Sequence, residues 1–129
     1  MLRHRLMPVL LIENRRLVKT KKFKKPSYVG DPINAVKIFN DKEVDEIVIL
    51  DICATKENKG PDFDYIELLA EECFIPLTYG GGIRSLNDVE RLFSLGIEKV
   101  CLQSVIFDDF ELINKISERF GSQSICISL

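Results

Sequence analysis

Short apolar runs alternate with amphipathic segments along the whole chain. Leu6-Met7-Pro8-Val9-Leu10-Leu11-Ile12 reads as a first strand buried on both faces, made irregular by Pro8. Glu13-Asn14-Arg15-Arg16 is turn-forming, and Leu17-Val18-Lys19-Thr20 is a short hairpin return. Lys21 to Gly30 reads as a long basic loop. Asp31 is an N-cap candidate with Pro32 at the first helical position, and Ile33, Val36, Lys37 and Phe39 follow at helical spacing. Glu46 to Asp51 is a second strand ending in an acid, and Cys53 to Asp62 a polar loop. Phe63 to Cys73 is a helix with Ile66, Leu69 and Ala70 on one face, and Ile75 to Tyr79 is a third strand. Ser85 with Asp88 three residues on forms a capping-box variant. Val89, Leu92, Phe93 and Leu95 make that helix's apolar stripe, and Gly96 closes it. Lys99 to Leu102 is a fourth strand, Asp108 to Phe120 a helix closed by Gly121, and Ser124 to Leu129 a fifth strand.

The pattern is β-α repeated four times with one more strand, in one domain spanning 1–129. Short, doubly buried strands joined by helical crossovers indicate an α/β fold with a parallel sheet. Repeats of about 23 to 40 residues suit a (β/α)8 barrel, whose full length is about 250 residues, so this chain would make the N-terminal half of a TIM barrel. A flavodoxin-like five-strand sheet is the rival, and it suits the chain length better.

Composition narrows the function classes. Hydrophobic content of 46% and charged content of 29% are those of a globular domain. No apolar run approaches the roughly 18 residues of a membrane span. The N-terminal run is too short and interrupted for a signal peptide, so a cytoplasmic protein is expected. Cys53, Cys73, Cys101 and Cys126 form no C-x-x-C pair and His4 is the single histidine, which points away from a metal site. Buried thiols acting as small hydrophobes are the expectation. Net charge is −2, but residues 1–30 hold nine Lys/Arg and one acid, Glu13. Five of these fall within seven positions: Lys19, Lys21, Lys22, Lys24 and Lys25. Such a basic loop attracts an anionic small molecule or serves as a solvated loop, with nucleic acid and membrane surfaces the lesser readings.

The residues richest in chemical meaning are Gly80-Gly81-Gly82, between the third strand and the Ser85-capped helix. Bare backbone N–H groups beside a helix N-terminus bind phosphate without needing a side chain, and glycine permits close approach. A tight strand-to-helix turn with no ligand produces the same motif.

Nearly end to end, the chain resembles the N-terminal half of the cyclase subunit of imidazole glycerol phosphate synthase. The resemblance rests on Met1-Leu2, Arg5, Pro8, Leu17-Val18-Lys19, Gly30-Asp31-Pro32, Asp45-Glu46, Leu50-Asp51, Ile75-Pro76, Gly80-Gly81-Gly82-Ile83, Gly96, Lys99-Val100 and Phe120-Gly121-Ser122-Gln123. It implies a phosphate held by backbone at Gly81 and Gly82 and by the strand-four end, Gln103-Ser104. Gln103 is longer than the family's usual Asn there, and Ser104 keeps a hydroxyl. It also implies Lys19 at the barrel mouth and a glutaminase partner at the opposite face, delivering ammonia through a ring of charges that Arg5, Glu46 and Lys99 match. The implied substrate class is a phosphorylated small molecule, and no cofactor, no metal, and no nucleic-acid or membrane partner is expected.

The departures are as informative. The family's chemistry uses two aspartates, at the ends of strands one and five, as general acid and base. At the strand-one position this chain has Leu11, which cannot transfer a proton; the strand-five position would follow Leu129. The nearest substitute carboxylates are Glu13 and Asp51. The runs Pro8-Val9-Leu10-Leu11 and Lys22 to Tyr28 resemble a family branch that accompanies surface-sugar pathways. There the barrel would pass ammonia to sugar amidation without closing an imidazole ring. Genuine histidine-biosynthesis cyclase activity is the alternative. A non-enzymatic phosphate-binding half-barrel, homo-oligomeric through its open sheet edges, is another.

Overall fold

The computed structural model describes residues 6–19, 27–56, 59–103 and 110–128, with backbone alone at 19, 27–29, 55–56, 103, 110 and 128. Its elements in order are β1 (Val9–Glu13), β2 (Arg16–Lys19), β3 (Ser27–Gly30), α1 (Pro32–Asn40), β4 (Ile47–Asp51), α2 (Ile52–Lys56) and α3 (Phe63–Glu72). Then come β5 (Leu77–Gly80), α4 (Leu86–Ser94), β6 (Lys99–Gln103), α5 (Phe110–Phe120), a 3₁₀ turn at Ser122–Ser124 and β7 (Ile125–Ser128).

The seven strands form one sheet in the order β3-β2-β1-β4-β5-β6-β7. The five expected strands are β1, β4, β5, β6 and β7; they are parallel and adjacent in chain order. A flavodoxin-like sheet would reverse direction once, in the order 2-1-3-4-5. Here the winding never reverses, and the strand residues Ile12, Ile47, Ile49, Leu77, Tyr79, Val100 and Leu102 all enter one core. They meet Val36 of α1, Leu69 of α3, Val89 and Leu92 of α4 and Ile116 of α5, so the helices cover one face. Single-direction winding with helices on one side is the wall of a (β/α) barrel.

The opposite face is read from the register. Leu11 pairs with Leu50, Leu50 with Gly80, Gly80 with Cys101, and Cys101 with Cys126, making a row across five strands. One layer nearer the strand starts, Val9, Val48, Thr78 and Lys99 form a second row. Strand one therefore departs from expectation. It begins at Val9, after Pro8, whose carbonyl accepts from the Val48 N–H at 2.9 Å. It is not buried on both faces, for Val9 is 54% exposed on the side without helices.

Local rules account for most helix ends. The Asp31 carboxylate accepts from the Ile33 N–H at 3.2 Å, with Pro32 opening α1. The Ser85 hydroxyl accepts from the Asp88 N–H at 3.2 Å, and the Asp88 carboxylate accepts from the Arg84 N–H at 3.1 Å. At the far end of α4 the Gly96 N–H bonds Phe93 and the Ile97 N–H bonds Leu92, a Schellman closure around Gly96 at φ 109°.

Two expectations fail locally. The stretch Lys21 to Gly30 is not all loop: Ser27–Gly30 pairs antiparallel with β2. The stretch Cys53 to Asp62 is not all loop either: Ile52–Lys56 is a helix, started by the Asp51 carboxylate accepting the N–H groups of Cys53 (3.0 Å) and Ala54 (3.2 Å). Both elements are too short to carry a period, so longer-range pairing and one cap decide them.

Candidate active site

The carboxyl ends of the parallel strands gather Leu11, Glu13, Asp51 and the glycine run. The chain leaves β5 through Gly80, Gly81 and Gly82, all buried. Gly81 has φ 132° and Gly82 φ 72°, outside the range of ordinary side chains. Packing reinforces the requirement. A Cβ on Gly81 would come within 2.7 Å of the Asp51 carbonyl oxygen, and one on Gly82 within 2.5 Å of the Lys59 carbonyl oxygen. A Cβ on Gly80 would come within 2.9 Å of both the Cys101 carbonyl oxygen and Leu50 Cδ2. The three glycines thus let β4, β6 and the 59–60 loop close onto one turn.

Tyr79, which the pattern marks only as an apolar strand residue, holds that turn. Its hydroxyl donates to the Gly81 carbonyl at 3.0 Å while its ring lies in the core. Burial, and then the charges of Asp51 and Asp62, push its ionisation far above the ordinary tyrosine range. It therefore stays a neutral donor and fixes the backbone of the glycine turn.

Leu11 sits in the row Leu11-Leu50-Gly80-Cys101-Cys126, none of whose members is a carboxylate. The two candidate substitutes differ by face. Glu13, two residues beyond Leu11 on β1, shares its face at the strand end, paired with Arg16 in the hairpin register. Asp51 is registered beside the core residue Ile12, on the other face, and one of its oxygens is engaged by the α2 cap. Asp51 lines a cavity of about 250 Å³ with Asn14, Arg15, Lys59, Gly60 and Asp62 among its other walls.

Sulfur chemistry is muted here. Cys101 and Cys126 face each other across β6 and β7. Burial first, and then its hydrogen bond to Cys126, push the Cys101 thiol up to about 12. Among the described residues no cluster of histidine, cysteine and carboxylate has the makings of a metal site.

At the opposite end of the sheet, Glu46 and Lys99 meet. Lys99 Nζ lies 3.9 Å from Glu46 Oε2, and Glu46 is only 5% exposed. Both precede or open their strands on the face without helices, which sets them at the strand starts below the Leu11 row. Arg5 and Ser104 lie outside the described residues. Lys19 ends β2 and Gln103 ends β6, paired with Ser128; their backbones alone are described.

One contact joins two residues that neither the hydrophobic pattern nor any motif links. Arg15 Nε and Nη2 donate to Asp62 Oδ2 and Oδ1 at 2.8 and 3.0 Å, across 47 residues of chain. The guanidinium also lies 5.2 Å from the Tyr65 ring centre, and the Tyr65 hydroxyl donates to the Arg15 carbonyl at 3.3 Å.

The model of the family described as "Histidine biosynthesis protein" matches residues 5–129. The chain belongs to this family. It is 52% identical over 129 residues to a Pseudomonas aeruginosa protein named, provisionally, imidazole glycerol phosphate synthase subunit hisF2. It is 51% identical over the same length to a Vibrio vulnificus protein provisionally named as subunit hisF3 of that synthase. It is 42% identical to the imidazole glycerol phosphate synthase subunit HisF of Trichormus variabilis. All 129 residues align in each case, and they span 51%, 50% and 50% of these relatives, so the chain spans about half their length. Family membership and the five-strand barrel wall agree with the reading drawn from Gly80-Gly81-Gly82, Leu50-Asp51 and the βα spacing. Among the described residues no helix is long and apolar enough to cross a membrane.

Proposed function

We propose that this chain supplies the N-terminal half of a cyclase-subunit-like barrel that takes ammonia from a glutaminase and passes it to a phosphorylated substrate in surface-sugar amidation. The observation that carries the reading is the Leu11 row. A position that would need a carboxylate for imidazole closure is leucine, beside Leu50, while Glu46 and Lys99 remain paired at the strand starts. A barrel that conducts ammonia needs the charged entrance and a substrate cradle, and it does not need a proton-transfer pair at that layer.

The cradle in this reading is the turn at Gly81 and Gly82 with the β6 end, Gln103 and Ser104, and Lys19 supplies positive charge from β2. Support comes from the rigid seating of the glycine turn by Tyr79 and by the Asp51 and Lys59 carbonyls. The entrance would comprise Arg5, Glu46 and Lys99. The test is co-purification of the full-length gene product with its cognate glutaminase, and the glutaminase rate with and without it. Complex formation with faster ammonia release is expected; absence of any complex refutes the reading.

Glu13 favours a second reading, histidine biosynthesis with a displaced acid, because it shares Leu11's face at the end of β1. Growth of a cyclase-deficient bacterium without histidine, lost on Glu13→Gln, would establish it over sugar amidation.

A further inference from the structure

We propose that Arg15 is a positioning residue that, through Asp62, fixes the β2–β3 hairpin relative to the phosphate end of the barrel. The proposal rests on the reading above that the β2 end and the glycine turn together hold a phosphate.

The geometry begins with a two-residue turn. β1 and β2 pair Ile12 with Leu17 and Glu13 with Arg16, leaving Asn14 and Arg15 as the whole connection. Both have positive φ, 51° and 63°, the signature of a type I′ turn. Asparagine tolerates that conformation, but arginine at the second position is a poor choice for the turn itself; glycine is the favoured residue there. A residue that local conformation disfavours calls for a tertiary reason.

That reason is in view. The guanidinium makes two charge-assisted bonds to the Asp62 carboxylate in a forked geometry. Asp62 is also the N-cap of α3, accepting from the Tyr65 N–H at 3.4 Å. Tyr65 closes the circuit, its ring under the guanidinium and its hydroxyl on the Arg15 carbonyl. The tip of the hairpin is thereby tied to the start of a helix whose Tyr65, Ile66 and Leu69 are in the core. Asp62 and Arg15 are also walls of the cavity that holds Asp51. β2, which runs from Arg16 to Lys19, is otherwise held by β1 on one side and by the four-residue β3 on the other. A sheet margin held by two short ladders opens locally with ease, so an anchor at its base governs where it lies. A surface ion pair contributes little to global stability, which leaves placement as what this one supplies.

The test uses the purified full-length protein with Arg15→Gly, Asp62→Asn and the double variant. Arg15→Gly improves the turn while removing the clasp, and Asp62→Asn keeps an N-cap on α3. Hydrogen exchange is followed in peptides covering Arg16–Lys19 and Ser27–Gly30, and inorganic phosphate binding by calorimetry. The expected result is an unchanged or higher melting temperature for Arg15→Gly and a slightly lower one for Asp62→Asn, with exchange faster by about tenfold and phosphate affinity weaker by about three- to tenfold in both. The double variant is no worse than either single one. Unchanged exchange in Arg15→Gly overturns the proposal. Faster exchange with unaltered phosphate affinity overturns it too, leaving a clasp with a purely structural role. If the unaltered protein binds no phosphate while the variants still exchange faster, the anchoring stands and the phosphate reading fails.

Discussion

Leu11 of β1 lies directly beside Leu50 of β4, on the sheet face that carries no helices. An apolar pair occupies the layer where, under the proposed reading, imidazole closure would need a carboxylate. Leu11→Asp should therefore destabilise the fold by about 1–3 kcal/mol, because the new carboxyl meets Leu50 in place of a polar partner. Urea titration at neutral pH measures this. The loss should shrink as the pH falls through the new carboxyl's ionisation, since the protonated form is cheaper to bury.

The glycine turn makes a sharper contrast. Gly82→Ala puts a Cβ at φ 72° against the Lys59 carbonyl and should cost about 2–4 kcal/mol. Gly60→Ala meets nothing within 4 Å and should be neutral, or stabilising by up to about 1 kcal/mol through the unfolded chain. Thermal melts of the two variants decide the matter. If Gly82→Ala were neutral, the close packing of the turn on the 59–60 loop would be refuted.

Lys99 stands 3.9 Å from a glutamate that is 5% exposed. Lys99→Met strips that carboxylate of a compensating charge and should cost about 1–3 kcal/mol, whereas Lys99→Arg should hold stability. If the strand-start charges also form the ammonia entrance, Lys99→Met will lower glutamine-driven turnover while leaving turnover with added ammonium salts in place.

Asp62 gives the pH dependence. Its hydrogen bond from Arg15, chiefly, holds its ionisation below the ordinary 3.8. A carboxyl with a depressed folded value stabilises the fold above its unfolded value and loses that contribution as pH drops through the folded one. The melting temperature of the unaltered protein should thus exceed that of Asp62→Asn by a small, constant margin above about pH 5. The margin should close as the pH falls below the ordinary carboxylate range, through the depressed folded-state value. Salt at 1 M should narrow it at neutral pH, since both partners reach solvent.

The helix caps at Asp31 and Ser85, the Gly96 closure and all five parallel strands were legible because each depends on residues within a few positions of one another. The short strand Ser27–Gly30 and the helix Ile52–Lys56 were not, because neither is long enough to show a period. At the site, the glycine run was evident, but the Tyr79 hydroxyl on Gly81 was hidden inside an apolar strand. The Arg15–Asp62 clasp had only one faint sign, an arginine where a hairpin turn prefers glycine.

The sequence by itself determined the alternation of strands and helices, the family, and the leucine at position 11. Periodicity, capping and motif chemistry act along the chain, so the chain records them. Tertiary structure alone decided that the parallel strands run in unbroken order, ruling out the flavodoxin-like sheet. Glu13 shares Leu11's face by strand alternation alone, but only the tertiary structure decided that Asp51 does not share it and that Glu46 meets Lys99. Those facts follow from register and from contacts between residues tens of positions apart, and a one-residue slip in register would have exchanged the two faces.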